Sequence, residues 1–414
     1  MMRMHTPWRT GACAVLTACA AACGGGEAGS ASVATDSAGV RIVRNESPAW
    51  KDGEGWRVGD TPSVDIGVAE GDAAYQLDGV AGAARLSDGR IVVADGGSQQ
   101  LRFFSAQGRH LATAGRKGGG PGEFEGISWM GVAPGDSVLA WDAHARRLSV
   151  FTPDGRFVRA FTPAGVKHMF PSVEALLGDG SLVMTPGIDP AGMGMRPEGE
   201  FRDTVVWLRV PLGGAARELS RRPGADAFMS RSGGMMMTDE VVFGRRLMLA
   251  GARDGFYTGY TDRYEIEHRG ADGRLRRLIR RSHEPVRATE ADLDAYFAAD
   301  ARMEMRGLPA EMRSGFEEMA RTRRERIPHR DNFPAFAELQ VDTEGNLWVA
   351  DFPRRRDDPR AWSVFDPEGR WLGSVRTPAG LTVRQIGPDW ILGVQKDEMD
   401  VEHVRLYPLA KPAR

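Results

Sequence analysis

The chain has 414 residues, 42% of them hydrophobic, with 54 Lys and Arg against 56 Asp and Glu. That is long and apolar enough to bury a large core, and it excludes a chain disordered throughout. The formal net charge of −2 lacks the strongly basic balance of a nucleic-acid-binding domain, so no nucleic-acid partner is expected.

The N-terminus reads as an export signal. Arg3 and Arg9 form a basic start, followed from Gly11 to Ala22 by small and apolar residues, a run of about 12 that is shorter than the roughly 20 a spanning helix needs. Residues 1–22 are therefore read as a signal peptide. Leu16-Thr17-Ala18-Cys19 resembles the lipobox of bacterial lipoproteins, and Ala20-Ala21-Ala22-Cys23 is a looser second match leading into Gly24-Gly25-Gly26. The leucine points to Cys19 as the lipid attachment point, whereas the longer apolar run and the glycines point to Cys23, which is favoured. All three cysteines, Cys13, Cys19 and Cys23, lie in this segment, so the exported part is expected to carry no disulfide. Membrane attachment through an N-terminal lipid is the expected envelope contact. Neither candidate cysteine is followed by Asp, which places the expected location at the outer membrane. Residues 23–38 are read as a flexible tether, with 27–36 small, polar and disordered.

Beyond the tether the chain repeats. The clearest unit, residues 80–124, contains an apolar segment, the turn Asp88-Gly89, a segment ending at Asp95, a third segment at 101–105 and a fourth ending at Gly115. A second copy follows after about 47 residues, with turns at Gly135-Asp136 and Asp154-Gly155. A third unit starts at Gly178-Asp179-Gly180 and has outer strands at 204–210 and 218–220. The fourth is built on 247–250, 263–268 and 275–279. A fifth spans 339–375, and the last shows only three strands, at 382–386, 390–394 and 403–407. Four short strands per unit at this spacing predict the blades of a β-propeller, in which each blade hides its two apolar faces against its neighbours. The last unit needs a fourth strand. Residues 63–67, followed by Gly71 and Tyr75, parallel 111–115 followed by Gly118 and Phe124, so the N-terminal segment is expected to close the ring beside 403–407.

The residues Asp88-Gly89-Arg90, Val93-Ala94-Asp95, Leu101 to Phe104, Gly108-Arg109 and Gly115 to Phe124 resemble the six-bladed, NHL-like propellers found as bacterial lipoproteins. The resemblance covers about residues 56–409 and implies an all-β, six-bladed propeller over 39–411, closed by an N-terminal strand. It implies little about function, because propellers host binders, scaffolds and enzymes alike.

Residues 289–327 interrupt the repeats as a helical insertion. Thr289 and Asp292 suit a helix start, and Leu293, Tyr296 and Phe297 form an apolar stripe. A second helix is expected from Pro309, with Met312, Phe316 and Met319 on one face. The insertion is expected to cap one face of the ring or to dock an acidic partner. Arg321, Arg323, Arg324, Arg354, Arg355 and Arg356 are the candidate partner surface.

The glycine-rich segment Gly115 to Gly122 contains Lys117 but lacks the Gly-Lys-Ser/Thr and helix of a phosphate-binding loop, so it reads as a crossover between units. Asp95, Asp142, Asp254 and Asp351 are each expected to end a second strand and to accept turn N–H groups. Ser98, Ser128 and Ser232 are placed in loops, outside any nucleophile motif. His144, His168, His283 and His329 could meet at one channel mouth, without the spacing of a zinc site. Met193, Met195, Met229 and Met235 to Met237 read as packing residues in preference to Cu(I) ligands. No cofactor, metal or catalytic residue is assigned. The expected function is a non-catalytic binding or scaffolding lipoprotein for a protein, peptide or carbohydrate ligand. The alternative is a lactonase-like hydrolase or lyase with a metal at the channel mouth.

Overall fold

The computed structural model describes residues 32–51, 53–166, 168–187, 197–232, 235–304, 321–355 and 358–412. The candidate lipid sites Cys19 and Cys23, the second helix expected from Pro309, Met193, Met195 and Arg356 lie outside the described residues.

Six main sheets follow one another along the chain. The first contains Val80–Arg85, Ile91–Asp95, Gln100–Phe104 and His110–Ala114, and the second Ile127–Ala133, Ser137–Asp142, Arg147–Phe151 and Phe157–Phe161. The third, of five strands, runs Ser172–Leu176, Leu182–Thr185, Gly199–Val210, Arg217–Ser232 and Met235–Glu240. The fourth contains Leu247–Ala252, Gly255–Tyr260, Glu265–Gly270 and Leu275–Arg281. The fifth is Glu338–Val341, Leu347–Ala350, Ala361–Phe365 and Trp371–Arg376, and the sixth begins Thr382–Ile386, Trp390–Lys396 and Glu402–Ala410. In every sheet the strand nearest the axis comes first in sequence and each next strand pairs antiparallel outside it. Most of these strands are joined by connections of a few residues, which favour antiparallel pairing between neighbours in sequence.

Each sheet is apolar on both faces, and each seam between sheets is a separate hydrophobic cluster. Leu101, Phe103, Phe124 and Phe151 fill the first-second seam, and Leu139, Trp141, Leu148 and Leu182 the second-third. Leu177, Trp207 and Phe256 join third to fourth, Tyr264, Ile279, Phe336 and Phe365 fourth to fifth, and Trp348, Trp362, Ile391 and Tyr407 fifth to sixth. Ile66, Ile91, Phe104 and Val404 return from sixth to first. The circuit is closed, which is the architecture of a β-propeller.

The N-terminal segment follows the outside of this circuit. Ser32–Ser37 and Val40–Asn45 form a hairpin whose second strand adds in parallel to Leu275–Arg281 of the fourth sheet. Strand structure therefore begins inside the region expected to be a disordered tether: residues 32–36 gain a full antiparallel ladder that outweighs their polar composition. Trp50 then lies on Gly373 of the fifth sheet, where any Cβ would sit 2.3 Å from the indole. Arg57–Val58 and Val64–Ile66 pair with Glu402–Ala410 of the sixth. In register, Ile66 pairs with Val404 and Val64 with Leu406, which adds a fourth strand to the sixth sheet.

Two further corrections concern the irregular units. The third sheet has strands of twelve and sixteen residues and a fifth strand, with bulges at Arg202–Thr204 and Trp207–Leu208 that bend the long hairpin. Asp254 lies between the first and second strands of the fourth sheet instead of after the second.

Candidate functional site

The inner strands all run the same way, so their ends, Arg85, Ala133, Leu176, Ala252, Val341 and the Gln385 region, converge on one channel mouth. There they surround a cavity of about 930 Å³ to which all six sheets contribute. Backbone contacts tighten its wall. At Gly178 a Cβ would meet the Arg253 carbonyl oxygen at 2.2 Å, and its N–H donates to the Ala252 oxygen at 3.2 Å, so only glycine lets the third and fourth sheets approach this closely.

The polar groups of the mouth divide into engaged carboxylates and available cations. Asp136 accepts the N–H of Ser87 at 3.2 Å and its hydroxyl at 2.5 Å. Asp88 accepts from Arg90, and these bonds, led by the Arg90 backbone N–H, hold its carboxyl below the ordinary value. Asp342 is buried and accepts from Glu344, Asn346 and the Trp348 indole at 2.8 to 3.0 Å. Arg85 instead lies 5.1 Å from the Trp390 ring centroid, a cation–π contact, and makes no ion pair among the described residues. Arg253, on the fourth sheet and so across the ring from Arg85 on the first, is exposed and makes no ion pair among the described residues. Gln385 fixes Arg85 from the sixth sheet, accepting its N–H at 2.6 Å.

Deeper in the channel, Arg384 donates to the Val80 carbonyl at 3.2 Å. Solvent reaches its side chain, yet desolvation by the surrounding channel walls lowers the pKa of its guanidinium, against the opposing pull of Glu338 and Glu402. Glu338 is taken by Arg360 at 2.6 Å and by Gln340 at 2.9 Å.

The opposite face carries the insertion. The helix Glu290–Glu304 opens with a reciprocal cap: Thr289 N–H donates to Asp292 at 3.0 Å, and Asp292 N–H returns to the Thr289 hydroxyl at 3.3 Å. The Thr289 hydroxyl and then Arg354 hold the Asp292 carboxyl well below the usual carboxylate range. Leu293 and Phe297 bury against Phe243, Phe333 and Ile327. The candidate arginine surface meets this helix: Arg323 pairs with Asp300 and Asp239, Arg324 with Glu290 and Asp294, and Arg354 with Asp292 at 3.0 Å and Arg355 with it at 3.9 Å. Arg321 is exposed.

Among the predicted strand-ending aspartates, Asp95 and Asp142 accept turn N–H groups as expected. Asp254 bonds His268 and lies near Arg276. Asp351 behaves differently: its carboxylate faces Arg281 at 3.7 Å, and burial raises its pKa against the pull of Arg281 and His283. Burial, then Arg281, lowers that of His283, which packs on Tyr264 with ring centroids 6.0 Å apart. Burial thus acts on both groups in the direction that favours their uncharged forms. Sequence reasoning assigned this aspartate to a turn. The available signal was its sequel: Asp351 is followed by Phe352-Pro353, whereas Asp95 is followed by two glycines.

The histidines are dispersed. His144 packs on Gly126, His168 donates its N–H to Pro186, and His329 bridges Val242. No group of three His, Cys, Asp or Glu suited to a metal occurs among the described residues. Ser128 and Ser232 lie on strands instead of loops, because their neighbours supply ladder partners, while Ser98 accepts from Arg102. In the glycine-rich crossover, Glu123 accepts the Gly120 N–H at 2.8 Å, so a carboxylate of the chain itself occupies the loop. Met236 and Met237 are exposed and Met229 is buried.

No family model matches the chain, and no curated protein matches it. Solved structures resemble it distantly. A Bacteroides fragilis protein provisionally described as exported is 11% identical, with a TM-score of 0.47 over 90% of this chain and 100% of that one. A gluconolactonase from Xanthomonas campestris is 13% identical, with a TM-score of 0.41 over 88% and 99%. Virginiamycin B lyase from Staphylococcus aureus is 10% identical, with a TM-score of 0.41 over 86% and 100%.

Proposed function

We propose that the chain is a six-bladed propeller of NHL-like type, exported and held at the bacterial envelope by a lipid on Cys23 or Cys19, and that it works as a binding protein whose ligand enters the six-sheet channel mouth. The observation that carries this reading is the 930 Å³ cavity built from all six sheets, with Arg85 and Arg253 facing it without an ion pair among the described residues while its carboxylates are engaged. A ring of fixed strand ends around a concave polar seat is a preorganised binding surface. The test is quantitative capture from detergent-solubilised envelope with wild-type protein and with R85E/R253E. A ligand enriched by the wild type and lost from the variant supports the reading, and equal capture by both removes the mouth from it.

The second reading is a hydrolase or lyase, with Asp351, 3.7 Å from Arg281, and His283, packed on Tyr264, as the candidate groups on the opposite face. Turnover of lactone or ester substrates that Asp351→Asn and His283→Gln both abolish, with binding at the mouth intact, would establish it.

A further inference from the structure

A second cavity, about 740 Å³, lies away from the channel, where the N-terminal strap crosses the outer strand of the fifth sheet. Its wall includes three partly exposed tryptophans, Trp50, Trp56 and Trp371, and three cations, Lys51, Arg57 and Arg376. The rings of Trp50 and Trp56 lie 5.1 Å apart at 44°, and Lys411 lies 4.1 Å over Trp56. Gly53, Gly55, Gly59 and Gly373 also line it, and Gly55 and Gly373 leave the room in which the Trp50 ring is seated.

Two observations define the chemistry of this groove. Lys51, Arg57 and Arg376 make no ion pair among the described residues, and Asp60 is the one carboxylate in the wall. Second, the indole N–H groups of Trp50 and Trp56 have no protein acceptor among the described residues, while that of Trp371 in the same wall donates to the Gly373 carbonyl. The wall is therefore rich in donors, positively charged and partly aromatic. Its complement is a molecule with flat apolar faces, many acceptors and negative charge.

We propose that the groove binds an acidic oligosaccharide, with uronate rings against the tryptophans and carboxylates on Lys51, Arg57 and Arg376. A sugar ring offers an apolar C–H face to an indole and hydroxyl oxygens to its N–H, and a carboxylate on each ring matches spaced cations through charge-assisted bonds. An acidic peptide offers the charge without the flat faces. The site is independent of the channel mouth.

The probe is an oligogalacturonate of about six sugars, with its methyl-esterified form as a neutral control of the same ring geometry, titrated by calorimetry and tryptophan fluorescence. The acidic form is expected to bind at least tenfold more tightly than the ester and to weaken as salt rises. K51E/R376E changes exposed side chains, so its unfolding transition should match wild type, and its affinity for the acidic form should fall at least tenfold. R85E/R253E should bind like wild type. Absence of binding at millimolar probe, equal binding of acid and ester, wild-type affinity in K51E/R376E, or loss confined to R85E/R253E would each overturn the proposal.

Discussion

Asn45→Ala should loosen the N-terminal strap more than any exposed substitution on it. Asn45 is 1% exposed and sits where the strap, the fourth sheet and the fifth sheet meet. Its amide donates to the carbonyls of Arg280 and Gly369, both at 3.1 Å, and its oxygen accepts from Trp371 N–H at 2.8 Å and from the Ser32 hydroxyl at 2.5 Å. Alanine removes all four bonds. A typical bond contributes about 1 kcal/mol net, and leaving a buried N–H such as that of Trp371 without an acceptor costs about 1 to 3 kcal/mol. Two of the lost bonds fall on carbonyls that keep a second lone pair for other partners, so the sum expected is about 3 kcal/mol. Urea unfolding followed by tryptophan fluorescence measures it, because Trp50 and Trp371 flank the site, and the midpoint should fall with little change in slope. Asn45→Asp should be at least as damaging, since it exchanges two donors for a buried charge. A loss below about 0.5 kcal/mol in Asn45→Ala would show that the strap is only draped on the ring and would refute this reasoning.

Leu293→Ala should cost about 2 to 4 kcal/mol if the insertion shares the core of the ring, because Leu293 is buried against Phe243 and Phe333; an unchanged midpoint would make the helix a detachable lid. Asp65→Cys with Arg405→Cys should form a disulfide under mild oxidation, since the two residues are directly paired across the closing strands, and failure to crosslink would place the closure elsewhere. Burial raises the Tyr264 pKa to about 12. The folded state holds this proton more tightly than the unfolded chain, so the stabilisation is complete below pH 10 and is lost as pH rises through about 12. Absorbance titration at the tyrosinate band should show a late-ionising group that Tyr264→Phe removes, and an identical titration of the two proteins would contradict the assignment.

Much of the architecture was legible locally. Asp88-Gly89, Asp154-Gly155 and Glu368-Gly369 mark hairpins because glycine adopts the positive φ their turns require, +90°, +80° and +86° here, and the apolar runs between them mark strands buried on both sides. Even the closing strand could be inferred from the likeness of residues 63–67 to 111–115. The path of residues 32–60 could not. Its hairpin joins the fourth sheet in parallel, and its anchor Asn45 bonds a carbonyl 324 positions away; a polar segment carries no periodicity that names a distant edge. The same limit governs the sites. Asp351 has the sequence of a strand terminator, and only the meeting of two sheets brings Arg281 and His283 to it. By itself the sequence determined where strands begin, turn and repeat, since those depend on neighbouring residues. The tertiary structure alone decided which charges are paired and which remain free, because pairing and desolvation depend on groups that approach only when the ring closes.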